Sequence, residues 1–347
     1  MSKPCCSNVS ESEIVPLSCL KGSLVKPPQI GSNLGWRDRS GMLKVRWGIG
    51  RMNYSVAPGL YRLGKADENS PVLVTANYKM TFDLLRSQLS GTNAWILVLN
   101  THGINVWCAA GKGTFGTDEA ANQIESANLK SVVTHREVIL PQLGAPGVAA
   151  HEVKRRTGFN VIYGPVYAKD IPKFLANGKR ATPEMRRVEF GIKDRVALIP
   201  MELMPALKWV PVIVALIVGM RFADGSGINT GILGDLFGYL GAIGIGAIVF
   251  QIVFPWIPGR SFVLKGWLLG IIWTLAVSFL LRLNPWIIIS NLLVLPAIAA
   301  YLALSFTGST TFTSLSGVQK EIRLATPIMI ASAGLGIIIR IGLRLWI

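Results

Sequence analysis

Charge is scarce in this chain, and negative charge scarcest. Only 16% of its 347 residues are charged, 35 Lys/Arg against 19 Asp/Glu, while 50% are hydrophobic. A soluble domain usually carries about 25% charged residues. The deficit excludes a disordered chain and argues against an ordinary cytosolic enzyme. It is also localised: residues 1–206 hold 26 Lys/Arg and 16 Asp/Glu, residues 207–347 only 9 and 3. The first stretch reads as a basic soluble domain long enough for a sizeable core, the second as membrane. No nucleic-acid partner is expected.

Cysteine is scarce too. Cys5, Cys6 and Cys19 crowd the start and Cys108 stands alone. No C-x-x-C pair exists, and no run that would hold an iron–sulfur cluster within the chain. The first thirty residues lack an apolar stretch, so no secretory leader is expected. Without a leader or a disulfide framework, the soluble part is expected in the reducing cytoplasm.

Residues 1–40 are rich in Ser, Pro, Gly and Lys and show no period; they read as a mobile extension, although such a segment could dock on the domain. From Gly41 the texture changes. Leu43–Gly50, Tyr54–Leu63, Pro71–Asn77, Ala94–Leu99, Ser131–Leu140 and Phe159–Tyr163 read as strands. Helices are expected at Phe82–Leu89 behind an N-cap at Thr81, from Thr117 to about Leu129, at Gly147–Arg156 and at Ile171–Asn177. Such alternation predicts an α/β fold with parallel strands, occupying residues 41–202.

Residues 203–347 read as an all-α transmembrane domain of five helices: Leu203–Phe222, Ile232–Phe254, Phe262–Leu281, Trp286–Phe306 and Leu324–Trp346. Lys208 and Arg221 would have to snorkel from the ends of the first, and Lys265 and Arg340 pose the same question for the third and fifth. Trp209, Trp256, Trp286 and Trp346 fall near span ends, as interfacial aromatics do. Five cations on one side against four on the other orient the bundle weakly. With the N-terminal domain cytoplasmic, the C-terminus lies outside. Asp235 reads either as an ion-path residue or, more simply, as an interfacial one.

The informative stretch is Asn100–Thr117. It follows a strand, precedes a helix and contains four glycines, and loops of this kind carry ligands at strand ends. Ala110-Gly-Lys-Gly-Thr114 lacks the spacing of a phosphate cradle. Cys108 reads as a core cysteine or as a reactive thiolate or metal ligand. Lys112, four residues on, favours the thiolate if the segment is helical. His102, His135 and His151 have no metal-ligand spacing and read as structural or surface residues.

Asn105-Val-Trp-Cys-Ala-Ala-Gly-Lys-Gly113 resembles the cap-helix signature of the mercury-methylating corrinoid proteins (the HgcA family). Val45–Asn53 and Pro71–Lys79 resemble that family's corrinoid domain, and Phe306–Ser314 its membrane part. The corrinoid iron–sulfur proteins of the acetyl-CoA pathway are the related group. The resemblance implies a Rossmann-like corrinoid-binding domain and a cobalamin held by Thr75 and by Asn105, Val106, Trp107, Cys108, Ala109, Ala110, Gly111, Lys112 and Gly113. Cys108 would be the catalytic residue and the ligand below cobalt. The other corrinoid signature, D-x-H-x-x-G, is absent; Asn100-Thr-His102-Gly approaches it with the wrong first residue and spacing.

The implied reaction moves a methyl group from cobalt to Hg(II), in a protein of the inner membrane. Hg(II) is an electrophile and cannot accept a methyl cation. It needs a carbanion equivalent or a radical, and a soft thiolate opposite the methyl group favours both. The implied partners are a methyl donor, membrane lipid and a ferredoxin-like protein with two [4Fe–4S] clusters to re-reduce cobalt. The alternatives are a corrinoid methyl carrier of the acetyl-CoA pathway type, and a transporter or sensor with a cytoplasmic α/β domain.

Overall fold

The computed structural model describes residues 26–223, 225, 227–306 and 315–346. The expected extension at 1–40 therefore lies mostly outside them. Two compact units emerge, one taking in the described residues up to Val45 with Ile49–Val188, the other Arg46–Gly48 and Glu189 onward.

The first unit is built on six strands: β1 (Gln29–Ile30), β2 (Gly59–Leu63), β3 (Val72–Ala76), β4 (Ala94–Leu99), β5 (Glu137–Leu140) and β6 (Asn160–Tyr163), in the order β1-β2-β4-β3-β5-β6. β4, β3, β5 and β6 run parallel, but β2 lies antiparallel to β4, with β1 parallel to β2 at the edge. The sheet is thus mixed rather than wholly parallel. Every residue of β3 and β4 is buried, as expected of strands covered on both faces. Val74, Leu97, Leu99 and Val138 pack with Phe115, Ile124 and Val153 on one side. Leu73, Ile96, Val98 and Ile139 pack with Phe82, Leu85 and Phe174 on the other.

The helices of this unit are α1 (Trp36–Arg46), α2 (Lys79–Ser87), α3 (Val106–Lys112), α4 (Thr117–Ser126), α5 (Leu129–Val132), α6 (Ala150–Thr157) and α7 (Ile171–Ala176). Several expectations are corrected. The stretch read as a strand from Leu43 is the end of α1, docked because Asp38 accepts hydrogen bonds from Lys79 and Arg86 and Gly41 faces the Tyr54 ring. Residues 29–46 therefore belong to folded structure, not to an extension. Of Tyr54–Leu63 only the last five residues are strand; Arg51–Asn53 is a 3₁₀ turn. The strand expected from Ser131 starts at Glu137, because Arg136 gathers the carbonyls of Val133, Thr134 and His135 into a turn. The second helix begins at Lys79, two residues before the expected cap.

The second unit is helical: α8 (Ile192–Val196), α9 (Ile199–Leu207), α10 (Val210–Ala223), α11 (Gly231–Gly244), α12 (Phe250–Val253), α13 (Phe262–Leu280), α14 (Pro285–Ser305) and α15 (Leu315–Trp346). A π-helical turn, Ile245–Val249, joins α11 to α12. Among the described residues, Gly231–Trp256, Phe262–Leu280, Pro285–Ser305 and Ser316–Gly342 are long and apolar enough to cross a membrane. The first expected span is not one straight helix, since Ile192–Leu207 and Val210–Ala223 meet at a bend of 47°. Glycine brings helices into close contact, as small residues do where helices pack in lipid: a Cβ on Gly270 would stand 2.5 Å from the Cα of Pro296.

Of the cations expected to snorkel, Lys208 is exposed, whereas Arg221, Lys265 and Arg340 are buried and paired instead. Lys265 donates to the Phe254 carbonyl at 2.8 Å. Arg221 and Arg340 both donate to Asp235, at 2.6 and 3.3 Å. Asp235 is thus the centre of a largely buried ion-pair triad. Phe306–Ser314, part of the resemblance above, lies outside the described residues from 307 onward.

Candidate functional site

From β3 the chain passes to β4 on one side and then returns to β5 on the other. The crevice between β3 and β5 is therefore a topological switch point, where open α/β sheets hold ligands beyond the carboxyl ends of their strands. A cavity of about 530 Å³ opens there. Its walls come from Val74 and Thr75 of β3, Ile139 and Leu140 of β5, Leu84, Leu85 and Gln88 along α2, the 164–169 loop after β6, and Asn105, Val106 and Trp107 at the start of α3.

The loop that delivers α3 is set by a residue the sequence reading passed over. Asn77, buried just past β3, presents its Oδ1 to the Thr101 N–H at 3.1 Å, the Thr101 hydroxyl at 2.9 Å and the Gly103 N–H at 2.9 Å. One amide oxygen thereby fixes the turn through Thr101–Gly103, in which His102 takes a left-handed φ of 55°. No local pattern marks Asn77, because its partners lie 24 and 26 residues away. Glu119 adds a second tie, accepting from the Asn100 N–H at 2.7 Å.

Asn105 then caps α3. Its side chain accepts from the Cys108 N–H at 2.9 Å, and Gly113 closes the helix with a φ of 79°. The helix buries Val106, Ala109 and Ala110 and turns Trp107, Cys108, Gly111 and Lys112 outward. The segment is helical, so Lys112 follows Cys108 by one turn. Behind the helix, Phe115 is fully buried and its N–H donates to the Ala109 carbonyl at 3.1 Å. Gly144 and Gly147 make this seat possible: a Cβ on Gly144 would stand 2.5 Å from Phe115 Cε1. Tyr163 pins the same turn by donating to the Val148 carbonyl at 2.7 Å, and burial raises its phenol above the ordinary value.

The sequence-selected residues thus divide. Thr75, Asn105, Val106 and Trp107 line one cavity. Cys108, the next residue along, is a free, exposed cysteine rather than a core one. Ala109 and Ala110 are packing residues under the helix. Gly111, Lys112 and Gly113 lie at its exposed far end. His135 has a structural partner, the Ser70 carbonyl at 2.9 Å, while His102 and His151 are exposed. Among the described residues no group of three or more His, Cys, Asp and Glu side chains is placed to hold a metal.

The donors fit a corrinoid. Thr75 is 2% exposed and lines the cavity, so it offers a ligand a polar group in a mainly apolar wall. The apolar walls suit a macrocycle, and the exposed thiol beside them is a soft donor suited to a soft metal.

Comparison with known proteins finds similarity over the stretch that holds this crevice. The family described as CO dehydrogenase/acetyl-CoA synthase delta subunit matches residues 48–175, a stretch that holds β2 to β6, Thr75 and the whole of α3. The gamma subunit of the acetyl-CoA decarbonylase/synthase complex of Methanopyrus kandleri is 34% identical over 122 residues, 35% of this chain and 26% of the relative. The corresponding subunit of Methanocaldococcus jannaschii is 33% identical over 129 residues, 37% of this chain and 26% of the relative. Gamma subunit 2 of Methanosarcina thermophila is 35% identical over 126 residues, 35% and 26% of the two chains. The chain spans about a quarter of the length of these relatives.

Proposed function

We propose that the α/β unit is a corrinoid-binding methyl carrier, in which Cys108 would hold the metal and Thr75 would help to hold the macrocycle. The observation that carries this reading is the convergence of Thr75 with Asn105, Val106 and Trp107 on one switch-point crevice, with the exposed thiol of Cys108 as the next residue of α3. A bound corrinoid supplies a cobalt centre that takes up and releases a methyl group. The chain's own residues do the rest. Asn105 and Gly113 fix the ends of α3 and so the direction of the thiol. Trp107 walls the cavity beside it and limits water. Asn77 holds the loop that delivers the helix.

The comparisons support methyl carriage of the acetyl-CoA decarbonylase/synthase kind more directly than they support any one acceptor. Hg(II) as acceptor rests on the Asn105–Gly113 signature and on the thiol it presents. We propose it as the finer reading, because a soft anionic donor is what carbanion-like or radical release to an electrophile requires. The apolar helices are proposed to anchor the unit to the inner membrane with its α/β part in the cytoplasm. An iron–sulfur partner of the ferredoxin type is proposed to supply low-potential electrons. The full chain, loaded with methylcobalamin, should lose its methyl group when Hg(II) is added and yield methylmercury. Retention of the methyl group with Hg(II), but loss to an acetyl-CoA synthase, would leave the carrier reading and remove mercury.

A further inference from the structure

Helix α1 has two faces with different fates. Its inner face is occupied: Val45 is buried, Gly41 meets the Tyr54 ring, and Asp38 accepts from Lys79 at 2.6 Å and from Arg86 at 2.7 Å. Its outer face carries Trp36 and Leu43, seven residues apart, 82% and 60% exposed. At about 100° per residue, Arg39 and Arg46 fall on one flank of that seam and Arg37 and Lys44 on the other. Arg37, Arg39 and Lys44 are exposed. Past the helix, Ile49 and Met52 continue the apolar display at 58% and 77% exposure. The one acidic residue of the helix is turned inward into ion pairs, so the outward charge is all positive.

We propose that this face lies on the surface of a bilayer that contains anionic phospholipid. An exposed Trp with a Leu one heptad on suits the headgroup region, where interfacial aromatics sit, and each cation near an anionic surface is attracted to it. The seam is too short to hold a free protein on a membrane. Within a chain that also carries membrane spans it need not do so, because tethering raises the effective concentration of lipid at the helix. The contact also reaches the site. The Met52 carbonyl is 3.6 Å from where a Cβ on Gly103 would stand, so the segment abuts the loop that leads into α3. The proposal rests on the reading of the apolar helices as membrane spans and is independent of the corrinoid.

Hydrogen exchange tests it on the full chain, inserted in nanodiscs of phosphatidylcholine with or without phosphatidylglycerol. Amides of residues 36–52 should exchange about tenfold more slowly with the anionic lipid, and the difference should vanish in high salt. It should also vanish in the triple variant Arg37→Glu, Arg39→Glu, Lys44→Glu, whose β3 and β4 amides should remain as protected as in the wild type. Equal exchange in the two lipids overturns the proposal and leaves the membrane spans standing. Protection that appears only when a soluble acidic protein is added overturns it in favour of a protein partner. A chain that does not enter nanodiscs at all overturns both this proposal and the membrane reading.

Discussion

Gly147 lies so close to Phe115 that a Cβ on the glycine would collide with the phenylalanine's carbonyl oxygen, and would stand 3.1 Å from the Cα of Ala110. The turn at Gln142–Gly147 is therefore the seat of α3, and the absence of a side chain at Gly147 sets how deep the helix sits.

Gly147→Ala should lift α3 from this seat. Overpacking of this kind costs about 1–3 kcal/mol, and the strain falls on the helix that carries Cys108 rather than on the sheet. Corrinoid retention should drop while the circular dichroism of the α/β unit persists. Normal retention by this variant would show that the depth of α3 does not matter to the site.

Thr75→Val replaces a hydroxyl at the cavity wall with a methyl group and keeps the shape. The midpoint of thermal unfolding should change little, because the side chain lines a cavity rather than a fully packed contact. Cobalamin retention should fall all the same, and in Thr75→Ala as well. A fall in stability with unchanged retention would make Thr75 a structural residue.

Much of the α/β unit was legible because its signals are local. β4 is an unbroken apolar run and β3 is broken only by Thr75, and runs of that length buried on both faces read directly as strands. The segment Asn105–Gly113 carries its cap, its buried alanines and its exposed thiol in consecutive residues. What escaped depends on distant partners. α1 contains Gly41 in its middle and has Val45 and Trp47 at its end, so that end reads as a strand; ion pairs to Lys79 and Arg86, 41 and 48 residues from Asp38, make it a docked helix. Asp235 was legible as a lone carboxylate only, since Arg340 joins it from 105 residues away.

That triad should be unforgiving. Removing one partner from a buried charge network costs about 3–5 kcal/mol, so Asp235→Ala, which removes the carboxylate shared by the buried Arg221 and Arg340, should lower the yield of folded full-length chain in detergent. Unfolding followed by tryptophan emission should begin at a lower temperature. An Asp235→Ala chain as stable as the wild type would mean that the two arginines are satisfied without it.

The docking of α1 should fail in acid. Burial alone would raise the Asp38 carboxyl, but hydrogen bonds from Lys79 and Arg86 outweigh it and hold it below its ordinary value of 3.8. A carboxylate depressed in the folded state stabilises that state above its unfolded value, and the contribution is lost as the pH falls through the folded one. Limited proteolysis within residues 36–46 should accelerate below about pH 4, and Asp38→Asn should show the fast cleavage at neutral pH. Cleavage independent of pH would place the hold on α1 elsewhere.

The most direct test of a thiolate beneath cobalt is the visible spectrum of the full chain reconstituted with cobalamin, compared between wild type and Cys108→Ala. Both proteins should bind the corrinoid, since the walls of the cavity and Thr75 are untouched. Their cobalt bands should differ, because the variant offers no sulfur donor, and Cys108→His should give a third spectrum rather than restore the first. Identical spectra for wild type and Cys108→Ala, or a wild-type protein that stays colourless, would contradict the account.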